Sequence, residues 1–435
     1  MDPVTIGILG IAALFLLILL QVPIAFAMMT VGVVGFAIVG GAWMPPLSFL
    51  ASEPSFVLSS TDLAAVPLFL LMGTFASVAG FSTDVYVAAA AFLGHRRGGL
   101  AYATIAGSAV FGAICGSSTA TAATFAKVAL PEMLQRGYAQ GFSSGVIAAG
   151  GTLKSLIPPS LVMIIYCIVA KTFIFDMFIA AIIPALLTIA MNLLAIAIVV
   201  RRRPALAPVS ERVSWPEKFR ALWRAAPSLA LLLGVFAGLY SGVFTVSEAA
   251  SAAAILSLVF AVVRRRLTWS SMARGMYEAA IVTAMLYMIL MAAPIFTYFV
   301  NLAHVPETLV HWIGSHTFPP LVVIAVLLVV YILLGTFFEE MSSILITLPL
   351  VLPIVTGLGY DPLWWGIVCL VQVELAMIHP PMGIIVFLLH AVQPNLSMGT
   401  IYRGVVPFLA ADFAVLILLT VFPQLVLWLP HLWHG

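Results

Sequence analysis

The polar residues that could bind an ion or a small solute lie in four short segments, each inside a long apolar stretch. Two segments, 112–121 and 150–160, fall in the first half of the chain, and two, 339–343 and 374–381, fall in the second half. The first segment, GAICGSSTAT, combines two glycines, which allow a tight turn, with four hydroxyl side chains. Hydroxyl and carbonyl oxygens are hard ligands suited to Na⁺, and a helix that begins at such a turn attracts carboxylates. The alternative is a close contact between helices through small residues.

The second segment contains a lysine and a Pro-Pro pair in otherwise apolar surroundings. Pro158 and Pro159 cannot donate hydrogen bonds, and they force the preceding residue out of helical geometry. The carbonyl groups near 150–155 therefore lose their helical partners and become available to a ligand. Lys154 is expected near the middle of a membrane, where a charge is costly and indicates a function. The alternative is that its side chain extends to a membrane interface.

The two segments of the second half carry acids. Their ionisable residues are Glu339, Glu340, Glu374 and His379. The carboxylates could bind a cation, carry a proton or pair with Lys154. We hypothesise that Lys154 pairs with an acid of the second half, with Glu374 as the favoured partner. The alternative for His379 is a hydrogen bond to the backbone that the second Pro-Pro pair interrupts.

The composition indicates where these segments must lie. Of the 435 residues, 63% are apolar and 8% are charged, whereas a soluble domain carries about 25% charge. So few charges exclude a soluble enzyme, a nucleic-acid-binding protein and a disordered chain. The apolar runs are continuous and are long enough for helices of roughly 20 residues, whereas a transmembrane β-barrel would show alternation. The sequence therefore predicts an all-α polytopic membrane protein.

The basic residues, which mark cytoplasmic loops, predict the topology. Spanning helices are predicted at 4–22, 23–42, 62–80, 141–177, 178–200, 226–243, 245–263, 277–300, 360–393 and 403–429. Fifteen of the 18 Lys and Arg residues fall in connections that we place inside. The loops 43–61, 301–317 and 357–361 contain acids but no Lys or Arg, and we place them outside. Both termini are then outside, provided that 98–134 and 318–356 are re-entrant hairpins that leave the membrane by the face they entered.

The two halves of the chain share one plan. Pro131 lies 27 residues before Pro158, and Pro353 lies 27 residues before Pro380, so a single offset along the chain relates both prolines of the first half to those of the second. We predict a first repeat over 1–200 (hairpin 98–134, broken helix 141–177), a linker over 201–225 that ends in an amphipathic helix, and a second repeat over 226–435 (hairpin 318–356, broken helix 360–393). The hairpins enter from opposite faces, which makes the repeat inverted and is typical of secondary transporters with sites near the midplane. The alternative is that apolar helices resemble one another through composition alone.

Several segments resemble the large membrane subunit of tripartite ATP-independent periplasmic (TRAP) transporters. They are GAICGSSTATAATFAKVALPEMLQRGY, GGTLKSLIPPS, FTVSEAAS, LPLVLP and HPPMG, and they follow the family's order over nearly the whole chain. The resemblance implies an elevator-type carrier, similar to the ion transporter superfamily, in the bacterial inner membrane with periplasmic termini. It also implies a separate small four-helix membrane subunit, a periplasmic substrate-binding protein, an organic acid as solute and Na⁺ as the coupling ion. Neither an enzyme activity nor a further cofactor is implied.

Transferred onto matching positions, the resemblance implies two ion sites and a solute site. The first ion site comprises Gly116, Ser117, Ser118, Gly151, Thr152 and Pro158. The second comprises Glu340, Met341, Ser342, Glu374, Met377 and Pro380, mostly through backbone carbonyl groups. The solute contacts Ser118, Thr121, Lys154, Ser155, Ser343 and His379.

The chain departs from the family pattern at three of these places. Family members often have Gly at the position of Lys154, a less acidic tip in place of Glu339–Glu340, and Thr in place of His379. A tethered ammonium could occupy the place of a cation or contact the carboxylate of the solute, and both Na⁺ and H⁺ fit as the coupling ion.

Three other functions compete with this interpretation. A stand-alone carboxylate symporter of the same architecture would need no binding protein. An intramembrane enzyme could use the buried acids, but no HExxH or paired catalytic-Asp motif is present. An ion channel would not need the inverted repeat, which favours alternating access.

Overall fold

The structure is a computed structural model that describes residues 1–316 and 318–434, and the described part of the chain folds into α-helices and two short 3₁₀ turns. The helices of the first half are α1 (Pro3–Leu19), α2 (Ile24–Gly40), α3 (Met44–Ser59), α4 (Ala65–Ala79), α5 (Phe81–Leu93), α6 (Gly99–Cys115), α7 (Ser118–Gln135), α8 (Gln140–Thr152), α9 (Leu161–Ala170) and α10 (Ile174–Arg202). Those of the second half are α11 (Trp215–Tyr240), α12 (Val246–Val263), α13 (Trp269–Leu302), α14 (Val305–Ser315), α15 (Pro320–Phe337), α16 (Glu340–Gly357), α17 (Pro362–Ala376), α18 (Ile384–Val392), α19 (Met398–Val421) and α20 (Gln424–His434). Among the described helices, seven are long and apolar enough to cross a membrane, or up to nine if each of two bent pairs counts as one span. The prediction of an all-α polytopic membrane protein is confirmed.

The helix bounds repeat with the offset that the prolines predict. The number of residues between Pro131 and Pro353 also lies between the first residues of α7 and α16 and between their last residues. The same number lies between the first residues of α8 and α17. The same offset relates the two cis Pro-Pro bonds, Pro158–Pro159 and Pro380–Pro381, which interrupt the chain between α8 and α9 and between α17 and α18. The correspondence therefore extends from single residues to whole helices.

Helices of each half pack against helices of the other half, and equivalent helices do so in the same way. Helix α7 packs on α18 of the other half, and its counterpart α16 packs on α9, the counterpart of α18. In the same way, α4 packs on α12 while α13 packs on α2. Because each half covers the apolar face of the other, the halves share one core.

Each predicted hairpin consists of two helices joined by a two-residue turn. Gly116 and Ser117 join α6 to α7, and Phe338 and Glu339 join α15 to α16. The arms differ in burial, since 72% of the residues of α16 are buried in the protein, compared with 28% of those of α15. The inner arm of this hairpin therefore lies within the protein, its tip is half-buried, and the face by which each hairpin enters the membrane stays a prediction.

Two regions predicted as outside loops are helical instead. The region 43–61 contains α3, and the region 301–317 contains α14. Both helices have Pro within the first two positions. Proline is compatible with the first turn of a helix because the N–H it lacks has no partner there. Neither helix was predicted, because both regions were treated only as connections at the outer face.

Other helix bounds also differ from the predictions. The amphipathic helix expected at the end of the linker runs without interruption into the next apolar segment as α11. The helix predicted at 403–429 is divided into α19 and α20. The first bent pair, α4 and α5, turns by 63° at Gly80, whose positive φ of 80° favours glycine.

Candidate functional site

The four polar segments of the sequence meet in the interior of the protein. The tip of the first hairpin is formed by Gly116 in a left-handed conformation and by Ser117, whose side chain accepts a hydrogen bond from the amide of Ala120 (3.2 Å). This N-cap starts α7 and places Ser118, the first residue of the helix, in the buried interior. Glu340 begins α16 at the equivalent position of the second half.

These two equivalent residues contact each other. The hydroxyl of Ser118 donates to Glu340 Oε2 at 3.3 Å, and the hydroxyl of Ser155 donates to the same oxygen at 2.8 Å. The other oxygen, Oε1, lies 2.8 Å from the Lys154 ammonium. The Lys154 and Glu340 side chains are 0% and 5% exposed, so this ion pair is buried where it joins the two halves of the chain.

The partner of Lys154 is therefore Glu340, so the predicted pairing with an acid of the second half is confirmed and the choice of Glu374 was wrong. The 3₁₀ turn Leu153–Leu156, which follows α8, directs the Lys154 side chain to the first turn of α16. The same turn presents the backbone amide of Ser155, which donates to Glu374 Oε1 at 2.8 Å. Between α8 and α9, Glu374 thus accepts a hydrogen bond from the backbone, while Glu340 contacts the side chains of Lys154 and Ser155.

The other acid and the histidine have fewer contacts. Glu339 is half-buried, and its Oε2 atom is buried without a hydrogen-bond partner among the described residues. His379 is half-buried beside the second break, with its ring 6.2 Å from that of Phe413. Its Nδ1 atom also has no partner in the described part of the chain. Both side chains therefore have polar atoms that a ligand could use.

The remaining predicted residues are placed around this centre with different exposure. The buried ones are Gly116, Thr121, Gly151, Thr152, Pro158, Met341, Ser342, Ser343 and Met377, whereas Ser117 is half-buried and Pro380 is exposed. Thr121 and Thr152 donate their hydroxyl hydrogens to backbone carbonyls of their own helices, at 2.8 Å in both cases. Their oxygens retain acceptor capacity and can still face a cation.

The cluster contains three acids and one base, so it can hold negative charge that Lys154 does not offset. Lys154 is one positive group among three carboxylates, Glu339, Glu340 and Glu374, and its salt bridge with Glu340 is the only one formed by these four residues within the described ranges. No three His, Cys, Asp or Glu side chains of the described residues converge as a metal-ligand group. A cation that offset the remaining charge would therefore also need hydroxyl and carbonyl oxygens, which are hard ligands and fit a monovalent ion such as Na⁺.

A cavity of about 560 Å³ borders the tip of the first hairpin. Ser117 and Ala120 line it from the tip, and Thr74, Arg274 and Glu278 line it from α4 and α13. Its lining combines hydroxyl groups with one guanidinium and one carboxylate, so its two charged groups are of opposite sign. Ser117 is therefore accessible from the outside through this cavity, whereas Lys154 and Glu340 do not line it.

A second buried polar pair was missed in the sequence. Asn192 of α10 donates to Asp412 Oδ1 of α19 at 3.2 Å and to the carbonyl of Thr188 at 3.0 Å. Asp412 and Asn192 are 4% and 0% exposed. The signal was a lone acid in the apolar run FLAADFAVL, since an ionisable residue inside a membrane helix indicates a function.

Comparisons with known proteins give one consistent family. Residues 11–425 match the family model described as tripartite ATP-independent periplasmic transporter, DctM component. The chain is 34% identical over 376 residues to the C4-dicarboxylate TRAP transporter large permease protein DctM of Pseudomonas aeruginosa, covering 86% of this chain and 87% of the relative. It is 29% identical to the sialic acid TRAP transporter large permease protein SiaM of Vibrio cholerae, covering 89% of this chain and 91% of the relative. Among solved structures, the Alcanivorax borkumensis YdaH transporter has a similar fold, with a TM-score of 0.60 at 16% identity over 88% of this chain and 89% of that chain.

Proposed function

Because the chain belongs to the DctM family of TRAP transporters, it is a large permease subunit rather than an enzyme, and we propose that it imports an organic acid by using a gradient of Na⁺ or H⁺. The relatives named for C4-dicarboxylates and for sialic acid both take carboxylates, which supports a carboxylate as the solute here. The coupling cation offsets the charge of the solute.

One observation carries the proposal most directly. Residues from both halves of an apolar molecule converge on a buried polar cluster at Ser118, Ser155, Glu340 and Glu374. Buried polar groups are costly to maintain in a protein with so little polar surface. A site at the tips of two hairpins and at two broken helices is where secondary transporters bind solutes and ions.

The proposed mechanism is an elevator movement. The solute enters at the hairpin tips, where the hydroxyls of the first hairpin and the N-terminus of α7 bind its carboxylate. Coupling requires that bound cation and bound solute favour each other by the same factor. The hairpins and broken helices then move together against the scaffold helices and expose the site to the other face.

Two further proteins complete the proposed system. A periplasmic binding protein delivers the acid, and a small membrane subunit completes the scaffold, as the word tripartite in the family description supports. We place the permease in the bacterial inner membrane with both termini in the periplasm. The competing function is a symporter of the same architecture that works without a binding protein.

Uptake into proteoliposomes tests the proposal. The acid is first identified by the thermal shift of the cognate binding protein against a library of organic acids. The permease and its small membrane subunit are then reconstituted, and uptake of the labelled acid is measured with and without the binding protein, under a Na⁺ or a pH gradient. We expect saturable uptake that requires the binding protein and one of the gradients.

The control is a carboxylate outside the cluster. Glu307→Gln, on the exposed surface of α14, should retain uptake, whereas Glu374→Gln should lose most of it. Uptake without the binding protein would favour the stand-alone symporter, and uptake that is indifferent to every gradient would contradict coupling.

A further inference from the structure

The Lys154 ammonium lies beside oxygen ligands that an exchangeable cation could also use. Glu340 offers a carboxylate, and Ser118 and Ser155 direct their hydroxyls to it at 3.3 and 2.8 Å. A carboxylate with two hydroxyl groups is a hard oxygen environment that suits a small monovalent cation as well as an ammonium. Here the ammonium is covalently attached to the chain and lies 2.8 Å from the carboxylate.

Glu340 depends on this positive charge. Its side chain is 5% exposed, and a carboxylate buried to that degree is strongly unfavourable without a partner of opposite charge. Within the described residues, Lys154 is the basic side chain that forms a salt bridge with it. If the ammonium were removed, the Glu340 carboxylate would have to bind another cation, either Na⁺ or a proton.

The ammonium is also held in place. Lys154 lies in a 3₁₀ turn that packs directly on α6, because a Cβ atom added to Gly112 would lie only 2.8 Å from the Cβ of Lys154. Contact at this distance leaves room only for glycine at position 112 unless the turn moves. A charge attached to a fixed turn moves with the protein in both directions and cannot be released with the solute.

We propose that the Lys154 ammonium is a resident substitute for one coupling cation, so that the protein binds one fewer exchangeable cation than its oxygen ligands would otherwise hold. This inference rests on the proposed function, since it assigns a number of coupling ions to the proposed carrier. The exchangeable cation is then left to the oxygens around Glu374 and Glu339, whose carboxylates form no salt bridge in the described part of the chain. Because Lys154 returns with the empty carrier, its charge contributes nothing to the net charge moved in a cycle.

Binding of Na⁺ to the purified full-length chain tests the inference without any transport measurement. Lys154→Ala removes the ammonium and leaves both space and the oxygen ligands. Equilibrium binding of radiolabelled Na⁺ should show one more ion per chain in this variant than in the wild type. The thermal unfolding midpoint of the variant should rise by several degrees more than that of the wild type when choline chloride is replaced by NaCl at constant ionic strength.

Three further variants locate the additional ion. Lys154→Gln, which keeps most of the side-chain volume, should also gain Na⁺-dependent stability, and it serves if the alanine variant does not fold. Lys154→Arg keeps a cation and should bind as many Na⁺ ions as the wild type. The double variant Lys154→Ala/Glu340→Gln lacks the carboxylate that needs a counter-charge and should not bind the additional ion.

Each outcome decides the inference. An unchanged number of Na⁺ ions in folded Lys154→Ala or Lys154→Gln would overturn it, as would an additional ion that persists in the double variant. Neutral variants that remain unfolded in NaCl and choline chloride alike would also overturn it, because Na⁺ would then fail to replace the ammonium. Normal uptake by the wild type beside any of these results would leave the proposed function intact.

Discussion

Glu340 connects three side chains of the first half to the second half through a single carboxylate. One oxygen binds the Lys154 ammonium, and the other accepts hydrogen bonds from Ser118 and Ser155. Breaking a buried ion pair by removing one partner is much more costly than replacing both, because the remaining charge stays buried. The two sides of this pair are not equivalent, since a free cation can replace the ammonium but nothing in solution so readily replaces the carboxylate.

Glu340→Gln should therefore destabilise the protein in a way that Na⁺ does not correct. The variant leaves the Lys154 ammonium buried without its carboxylate, which we expect to cost about 3–5 kcal/mol. Thermal unfolding of the detergent-purified protein should show a lower midpoint that is equally low in NaCl and in choline chloride. Glu307→Gln is the control with the same chemical change on an exposed residue, and it should unfold like the wild type. A wild-type midpoint for Glu340→Gln would mean that the pair does not hold the two halves together.

The sequence could not predict which acid pairs with Lys154. The clustering of Ser118, Lys154, Glu340 and Glu374 could be predicted, because all four lie at tips or breaks that the repeat places near one another. The choice between Glu340 and Glu374 could not, because it depends on the direction of one lysine side chain leaving a 3₁₀ turn. That direction is set by packing on α6, which no local sequence pattern records.

One of the close contacts between helices lies where glycines face each other. Helices α8 and α19 cross at Gly141, Gly145 and Gly404, and a Cβ atom added to Gly404 would lie 1.6 Å from the carbonyl oxygen of Gly141. Lipid offers no hydrophobic driving force between helices, so such close packing is a main source of attraction between them. The crossing joins the first part of the broken helix of one half to α19 of the other.

Gly404→Ala should separate these two helices and destabilise the protein. The added methyl group has no space, and overpacking of this kind typically costs about 1–3 kcal/mol. The measurement is the thermal unfolding midpoint, together with the yield of monodisperse protein. Gly399→Ala is the matched control, because it lies in the first turn of the same helix with nothing within 4 Å of the added Cβ atom. If both variants behave alike, the crossing is not as tight as the structure shows.

Long elements were easier to predict than short ones. The apolar runs gave α1, α2 and α12 to within a few residues, and the hairpins and the Pro-Pro breaks were also found. The short helices α3 and α14 were missed because each has proline within its first two positions and is interrupted by polar residues, a pattern that loops share. Their existence depends on packing against neighbouring helices such as α2 and α16.

The distribution of charge over the whole molecule predicts its orientation. Apart from Lys127, Lys154 and Lys171, the basic residues fall in the connections that we place inside, and this arrangement requires opposite entry of the two hairpins. The constant offset between the helix bounds of the two halves supports the repeat, whereas the assignment of faces depends on the charges alone.

Labelling of single cysteines tests the orientation. The three native cysteines, Cys115, Cys167 and Cys369, are buried and should react little. Glu307→Cys in α14 should react with a membrane-impermeant maleimide in whole cells with a permeabilised outer membrane. Glu211→Cys, in the linker between α10 and α11, should react only after the inner membrane is opened. Both positions are exposed in the structure, so the reverse pattern would invert the topology.

The exchanged packing of the halves has a consequence for biosynthesis. A ribosome delivers α1 to α10 to the membrane before the helices that cover them have been translated. Until then, α7 lacks α18, α2 lacks α13, and the hydroxyl groups of Ser118 and Ser155 lack Glu340. The nascent first half must therefore remain in the bilayer with these packing surfaces uncovered until the second half is inserted. A chain terminated in the linker should be degraded by quality control, and co-expression with the missing half should protect it.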